Sequence, residues 1–200
     1  MKGLTVWYLF GRLHRVEPGE SIVFHAAAGG VGLIACQWAR HLGARLIGTA
    51  GSKEKAELAL ANGASEVILA REEDIASRVK ELTGGVGVPV VYDSVGADTW
   101  RASLDSLRPL GLMVLFGSAS GAVRSIYPAD LMSRGSLLLT RPSLRHYVST
   151  PAELGSAAEE LFDLVTAGAI NANIRQRYPL SEVARRTGRS NPVRPADPPC

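Results

Sequence analysis

Cysteine is scarce: only Cys36 and Cys200 occur in 200 residues. There is no CxxC pair and no cluster of cysteine with histidine, so neither a disulfide framework nor a zinc site is expected. Cys36 reads as a small core residue. No apolar run is long enough to span a bilayer and no secretory leader opens the chain, so a cytoplasmic protein with no membrane partner is expected. Excess positive charge is also missing from most of the sequence. The net charge of +3 comes from the C-terminal end, where Arg175, Arg177, Arg185, Arg186, Arg189 and Arg194 face only Glu182 and Asp197. That local surplus does not make a nucleic-acid surface, and no nucleic-acid partner is expected. No repeat of solenoid period occurs. The hydrophobic fraction of 46% is enough for a packed core.

What the chain does have is a strand, a turn of small residues and a helix, from Ser21 to Leu42. Ile22, Val23 and Phe24 form a continuous apolar run, as in a strand covered on both faces. Residues 26–32 carry almost no side chain, so the backbone there can approach another group closely. Ala27, Gly29 and Gly32 stand at the glycine positions of the G-x-G-x-x-G dinucleotide fingerprint. Gly29 lets the backbone touch a pyrophosphate, Gly32 lets the helix lie close on the strand, and the helix N-terminus offers free N–H groups. Ala27 departs from the pattern, since the first glycine serves the tight turn. The flanking strand and helix, with a further strand at 45–49, strengthen the match.

The rest of the chain alternates in the same way. After a helix over 3–14, strands are expected at 22–24, 45–49, 66–69, 88–92, 112–116 and 137–140. Helices are expected at 31–42, 52–61 (capped by Ser52), 72–82, 98–107 and 151–166, the last with Thr150 as cap and Glu153 three residues on. A short helical turn falls at Leu131 and Met132. Alternation of this kind forces parallel strands with crossover helices. The expected class is therefore α/β, a doubly wound parallel sheet of the Rossmann dinucleotide-binding type. Residues 1–186 form that domain, and 187–200, rich in proline, form a tail expected to be disordered. The first helix begins without a cap, so a longer natural chain is expected.

An NAD-selective site places Asp or Glu at the end of the second strand. Here Gly51 and Ser52 occupy that place and Lys53 and Lys55 follow. A hydroxyl and cations suit a 2′-phosphate, so NADP(H) is the expected cofactor. Ser94 and Ser118 follow the fourth and fifth strands, where ligands bind in open α/β sheets. Asp93 is expected to cap or pack, and His25 to be a buried structural histidine rather than a catalytic base.

The runs His25–Gly32, Val91–Gly96, Phe116-Gly117-Ser118 and Leu139–Leu144 resemble the NADPH:quinone oxidoreductases, the zinc-free branch of the medium-chain dehydrogenase/reductase superfamily to which zeta-crystallin is related. The resemblance runs from Lys2 to about Arg185. It implies that Ala28, Gly29, Gly30 and Val31 hold the pyrophosphate and that Ser52 and Lys55 face the adenosine 2′-phosphate. Ser94, Phe116, Gly117 and Ser118 would border the ribose and nicotinamide. It also implies a homodimer paired through the edge strand 136–140. Three departures stand out: no GroES-like N-terminal domain precedes residue 1, Ala70 stands where a tyrosine usually grips the adenosine phosphate, and the family's closing helix and strand are missing after Arg185. The implied function is hydride transfer from NADPH to a quinone or an α,β-unsaturated carbonyl. The alternative is an isolated NADP(H)-binding module with little turnover. No catalytic residue is assigned.

Overall fold

The computed structural model describes residues 1–172 and 179–182. The end of the domain at 186 and the proline-rich tail lie outside the described residues.

Six parallel strands form one sheet in the order β3-β2-β1-β4-β5-β6. They are β1 (Ser21–Phe24), β2 (Arg45–Ala50), β3 (Glu66–Leu69), β4 (Val88–Asp93), β5 (Leu107–Leu115) and β6 (Leu138–Thr140). The strand order reverses at β1, which pairs with β2 on one side and β4 on the other. This is the doubly wound arrangement, and its crevice opens where β1 and β4 diverge.

Alternate side chains of each strand enter opposite cores. Ile22 and Phe24 of β1, Leu46 of β2, Tyr92 of β4 and Val114 of β5 pack on one face. That face is covered by α1 (Lys2–Tyr8), α2 (Gly32–Leu42) and α7 (Pro151–Thr166). Val23, Ile47, Val91 and Met113 pack on the other, under α4 (Ile75–Leu82) and α5 (Trp100–Ser106). The remaining helices are α3 (Lys53–Ala61) and α6 (Pro128–Ser133).

Local chemistry sets the boundaries. Ser52 caps α3 by accepting from the Lys55 amide, and Thr150 and Glu153 form a reciprocal capping box on α7. Gly43 ends α2 in the left-handed conformation, φ 72°. Helix α4 starts at Ile75, the first residue of its apolar stripe and three residues later than the expected start at 72. The reason is Asp74, whose Oδ1 accepts from the Ser77 amide at 2.8 Å and so fixes the first turn. The expected single helix over 3–14 becomes α1 followed by a π-helical turn, Leu9–Leu13. The buried Tyr92 hydroxyl donates to the Leu9 carbonyl there at 3.0 Å. Strand β5 begins five residues earlier than the apolar run at 112. Leu107 pairs with Val88, the chain then leaves register, and Leu112 resumes against Val90. The extra residues bulge outward at Leu110, whose φ is 61°.

The departure at Ala27 has a structural counterpart. Ala27 is fully buried, and a Cβ built on Gly48 of β2 would lie 2.6 Å from the Ala27 methyl. Gly48 therefore leaves the room that the alanine uses. Gly48→Ala is expected to cost about 1–3 kcal/mol by overpacking. Adding Ala27→Gly should return part of that loss in denaturant unfolding; simple addition of two losses would contradict the pairing.

Candidate functional site

The turn after β1 crosses the switch point. The His25 amide donates to the Tyr92 carbonyl at 3.0 Å and the Ala27 amide to Thr49 at 3.0 Å, which ties the turn to both neighbouring strands. Ala26 takes the left-handed conformation, φ 54°, so the bend that a fingerprint usually gives to glycine sits one residue before Ala27. Gly32 packs so tightly that a Cβ there would lie 2.6 Å from the Ala27 carbonyl carbon. Only glycine allows α2 to approach the strand this closely. No side chain caps α2. The amides of Ala28, Gly30 and Val31 have no acceptor among the described residues. A turn of free amides at a helix N-terminus is chemically suited to an anion.

A buried hydrogen-bond chain holds this turn against the loop after β4. Asp93 is fully buried. Its Oδ1 accepts from the amides of Val95 at 2.7 Å and Gly96 at 2.9 Å. Its Oδ2 accepts from the hydroxyls of Thr99 and Ser103, each at 2.7 Å. A carboxylate accepts only, so Ser103 spends its proton there and must accept from His25 Nε2 at 2.9 Å. The proton of His25 is thereby placed on Nε2. Its Nδ1 then accepts from the Thr49 hydroxyl at 3.1 Å, and Thr49 accepts from the Ala26 amide at 3.2 Å. His25 is neutral: complete burial lowers its pKa, against a smaller raising effect of Asp93. The expected structural role for His25 is the one this geometry gives it.

Beside the turn lies a cavity of about 400 Å³. Val31, Ser94, Phe116 and Gly117 line it together. Gly117 packs on Ser94 closely enough that a Cβ would lie 2.7 Å from the Ser94 Cα. Ser118 does not line the cavity; its Cα underlies Gly96, 3.1 Å from where a Cβ would be. Ser52 and Lys55 lie apart, at the start of α3. The Ser52 hydroxyl is already engaged in capping, accepting from the Lys55 amide.

Several residues went unassigned in the sequence. Thr5 and Tyr8 of α1 line the cavity, as do Pro142, Ser143 and Leu144 beyond β6. Tyr8 stacks on Tyr147 with centroids 4.6 Å apart. Its phenol, pushed up to about 12 by burial and by Tyr147, stays protonated at neutral pH. The i, i+3 spacing of Thr5 and Tyr8 was the available signal. Arg71, after β3, sends Nε to 4.0 Å from a Cβ built on Gly51. It adds a cation where β2 ends.

Residues 30–163 match the family model described as zinc-binding dehydrogenase. The chain belongs to the zinc-binding dehydrogenase family. It is 54% identical over 187 residues to quinone oxidoreductase 1 of Escherichia coli K12, covering 92% of this chain and 57% of that relative. It is 47% identical over 185 residues to a 2-haloacrylate reductase of a Burkholderia species, covering 92% and 56%. The crystal structure of an E. coli quinone oxidoreductase complexed with NADPH superposes with a TM-score of 0.85 at 55% identity, covering 86% of this chain and 53% of that one. The chain thus spans a little over half the length of these relatives. Despite the family's name, the described residues hold no group of three or more His, Cys, Asp or Glu able to bind a metal ion. Both ring nitrogens of His25 are taken, and burial pushes the Cys36 thiol up to about 12. The described residues of this zinc-binding dehydrogenase domain do not fit zinc.

The neutral His25 carries a pH signature. Unfolded, its imidazole titrates at the ordinary value of 6.5; folded, it titrates lower. Between those values the unfolded chain holds the extra proton, so this contribution to stability is complete above pH 6.5 and is lost as pH falls. Chemical denaturation at pH 7.5 and 5.5 should show a smaller acid loss for His25→Gln than for the wild type. Equal losses would contradict a buried neutral histidine. Asp93→Ala strands four donors and is expected to cost on the order of 3 kcal/mol or more.

Proposed function

We propose that this chain is the cofactor-binding domain of an NADPH-dependent quinone oxidoreductase. The observation that carries this is the uncapped turn of free amides at the sheet's switch point, opening beside the cavity lined by Val31, Ser94, Phe116 and Gly117. In this reading Ala28, Gly29, Gly30 and Val31 receive the diphosphate. Ser52 and Lys55, joined by Arg71, receive the 2′-phosphate, which no acidic residue at the end of β2 repels. Ser94, Phe116, Gly117 and Ser118 border the ribose and nicotinamide.

When bound, NADPH supplies the hydride; the protein's part is to position and desolvate. Relatives named for quinones and for a haloacrylate share one acceptor chemistry, an electron-poor double bond conjugated to a carbonyl or carboxyl group. The substrate proposed here is accordingly a quinone or an α,β-unsaturated carbonyl. A cytoplasmic location goes with that chemistry; among the described residues no helix is long and apolar enough to cross a membrane.

The proposed assembly is a homodimer joined at strand 136–140. Among the described residues its β6 is the outer sheet edge, three residues long, with Leu138 55% exposed. An apolar edge of this kind calls for a partner strand.

A fluorescence titration with NADPH, followed by NADPH oxidation with a benzoquinone, tests the function. Saturable binding with turnover is expected. Binding without turnover would favour the isolated NADP(H)-binding module, and no binding would overturn both. In sedimentation, the wild type should run as a dimer and Leu138→Lys as a monomer; a monomeric wild type, or a dimeric variant, would contradict pairing through β6.

A further inference from the structure

One cation reaches the diphosphate turn from outside the fingerprint. Lys2 begins α1, and Thr5 and Tyr8, three and six residues on, are the α1 residues that line the cavity. Lys2 thus neighbours Thr5 on the helix surface, one turn earlier in α1. Its side chain lies across Gly30. A Cβ on Gly30 would meet Lys2 Cε at 2.8 Å and Cδ at 3.0 Å, and the ammonium nitrogen is there as well. Gly30 does not have a positive φ, so its missing side chain serves space rather than backbone conformation. What occupies that space is the lysine stem. Among the described residues the ammonium has no carboxylate within ion-pair distance and no hydrogen-bond acceptor. The amides of Ala28, Gly30 and Val31 beside it are likewise without acceptors.

We infer that Lys2 is a further anion-binding residue of the proposed cofactor site, and that it neutralises the pyrophosphate. The inference rests on the cofactor reading above and adds a residue from a different element. Three free amides and a helix terminus offer only partial positive charge to a diphosphate. A full charge on a flexible stem supplies the rest, as a point contact rather than a bidentate one. It would also link α1 to the turn when the site is loaded, joining the wall that carries Thr5 and Tyr8 to the element that binds the phosphates.

The pyrophosphate is common to NADPH and NADH, and only NADPH carries the 2′-phosphate. Fluorescence titrations of the full chain with each dinucleotide, for wild type, Lys2→Met and Lys2→Arg, therefore locate the contact. Lys2→Met is expected to weaken both dinucleotides by the same factor, roughly five- to tenfold at low salt. The factor should shrink as salt rises, and Lys2→Arg should recover most of it. The melting temperature without ligand should not move, because the side chain is exposed and makes no bond within the described residues. Unchanged affinity in Lys2→Met would overturn the inference. So would a loss confined to NADPH, which would put the ammonium at the 2′-phosphate, or a loss that arginine fails to repair. If the wild type binds neither dinucleotide, the cofactor reading falls and this inference with it; wild-type binding with an indifferent Lys2→Met removes the inference alone.

Discussion

Asp93 is the interaction on which the site depends. One buried carboxylate accepts four hydrogen bonds, and through Ser103, His25 and Thr49 its influence ends at the Ala26 amide. The loop after β4 and the turn after β1 are thereby held to one another across the point where the sheet reverses. A buried carboxylate is tolerable only when its acceptor capacity is filled, and here filling it orders both walls of the crevice. The direction of every proton in the chain follows from that one acceptor. The turn can then leave its own amides free, because its position is secured from behind.

Close packing completes the arrangement. Gly32 brings α2 down on the strand, Gly48 admits the methyl of Ala27, and Gly117 lets the loop after β5 rest on Ser94. Each contact lacks room for a side chain. The aromatic contacts around Phe24, Tyr92 and Phe116 fill the space beneath, so the small-residue turn sits on a rigid base. The result is a surface of backbone donors with a cavity at its flank, formed by elements that are far apart in the chain.

Much of this was legible in residues. The apolar runs of β1 and β4, the small residues between 26 and 32, and the Thr150/Glu153 pair carry local signals strong enough to place the strands, the turn and the longest helix. The early start of β5 was not legible, because Arg108-Pro109-Leu110-Gly111 has loop chemistry and only pairing with Val88 makes Leu107 a strand residue. Nor was the delayed start of α4, where the Asp74 cap keeps Glu72 and Glu73 out of the helix. At the site, Ser94, Phe116 and Gly117 could be found because they follow strands. Thr5, Tyr8 and Arg71 could not, since their place at the crevice is a matter of tertiary packing. Ala27 shows the same limit. Its mismatch to the fingerprint looks costly alone and is relieved by Gly48, 21 positions away in sequence.

The central claim is that the turn between β1 and α2 is a seat for a diphosphate. An amide-resolved NMR titration of the isotopically labelled chain with NADPH tests it most directly. The account predicts that the amides of Ala28, Gly30 and Val31 undergo the largest saturable shifts, with those of Ser94 and Gly117 following at the same midpoint. Saturable shifts that leave residues 28–31 unmoved would contradict it.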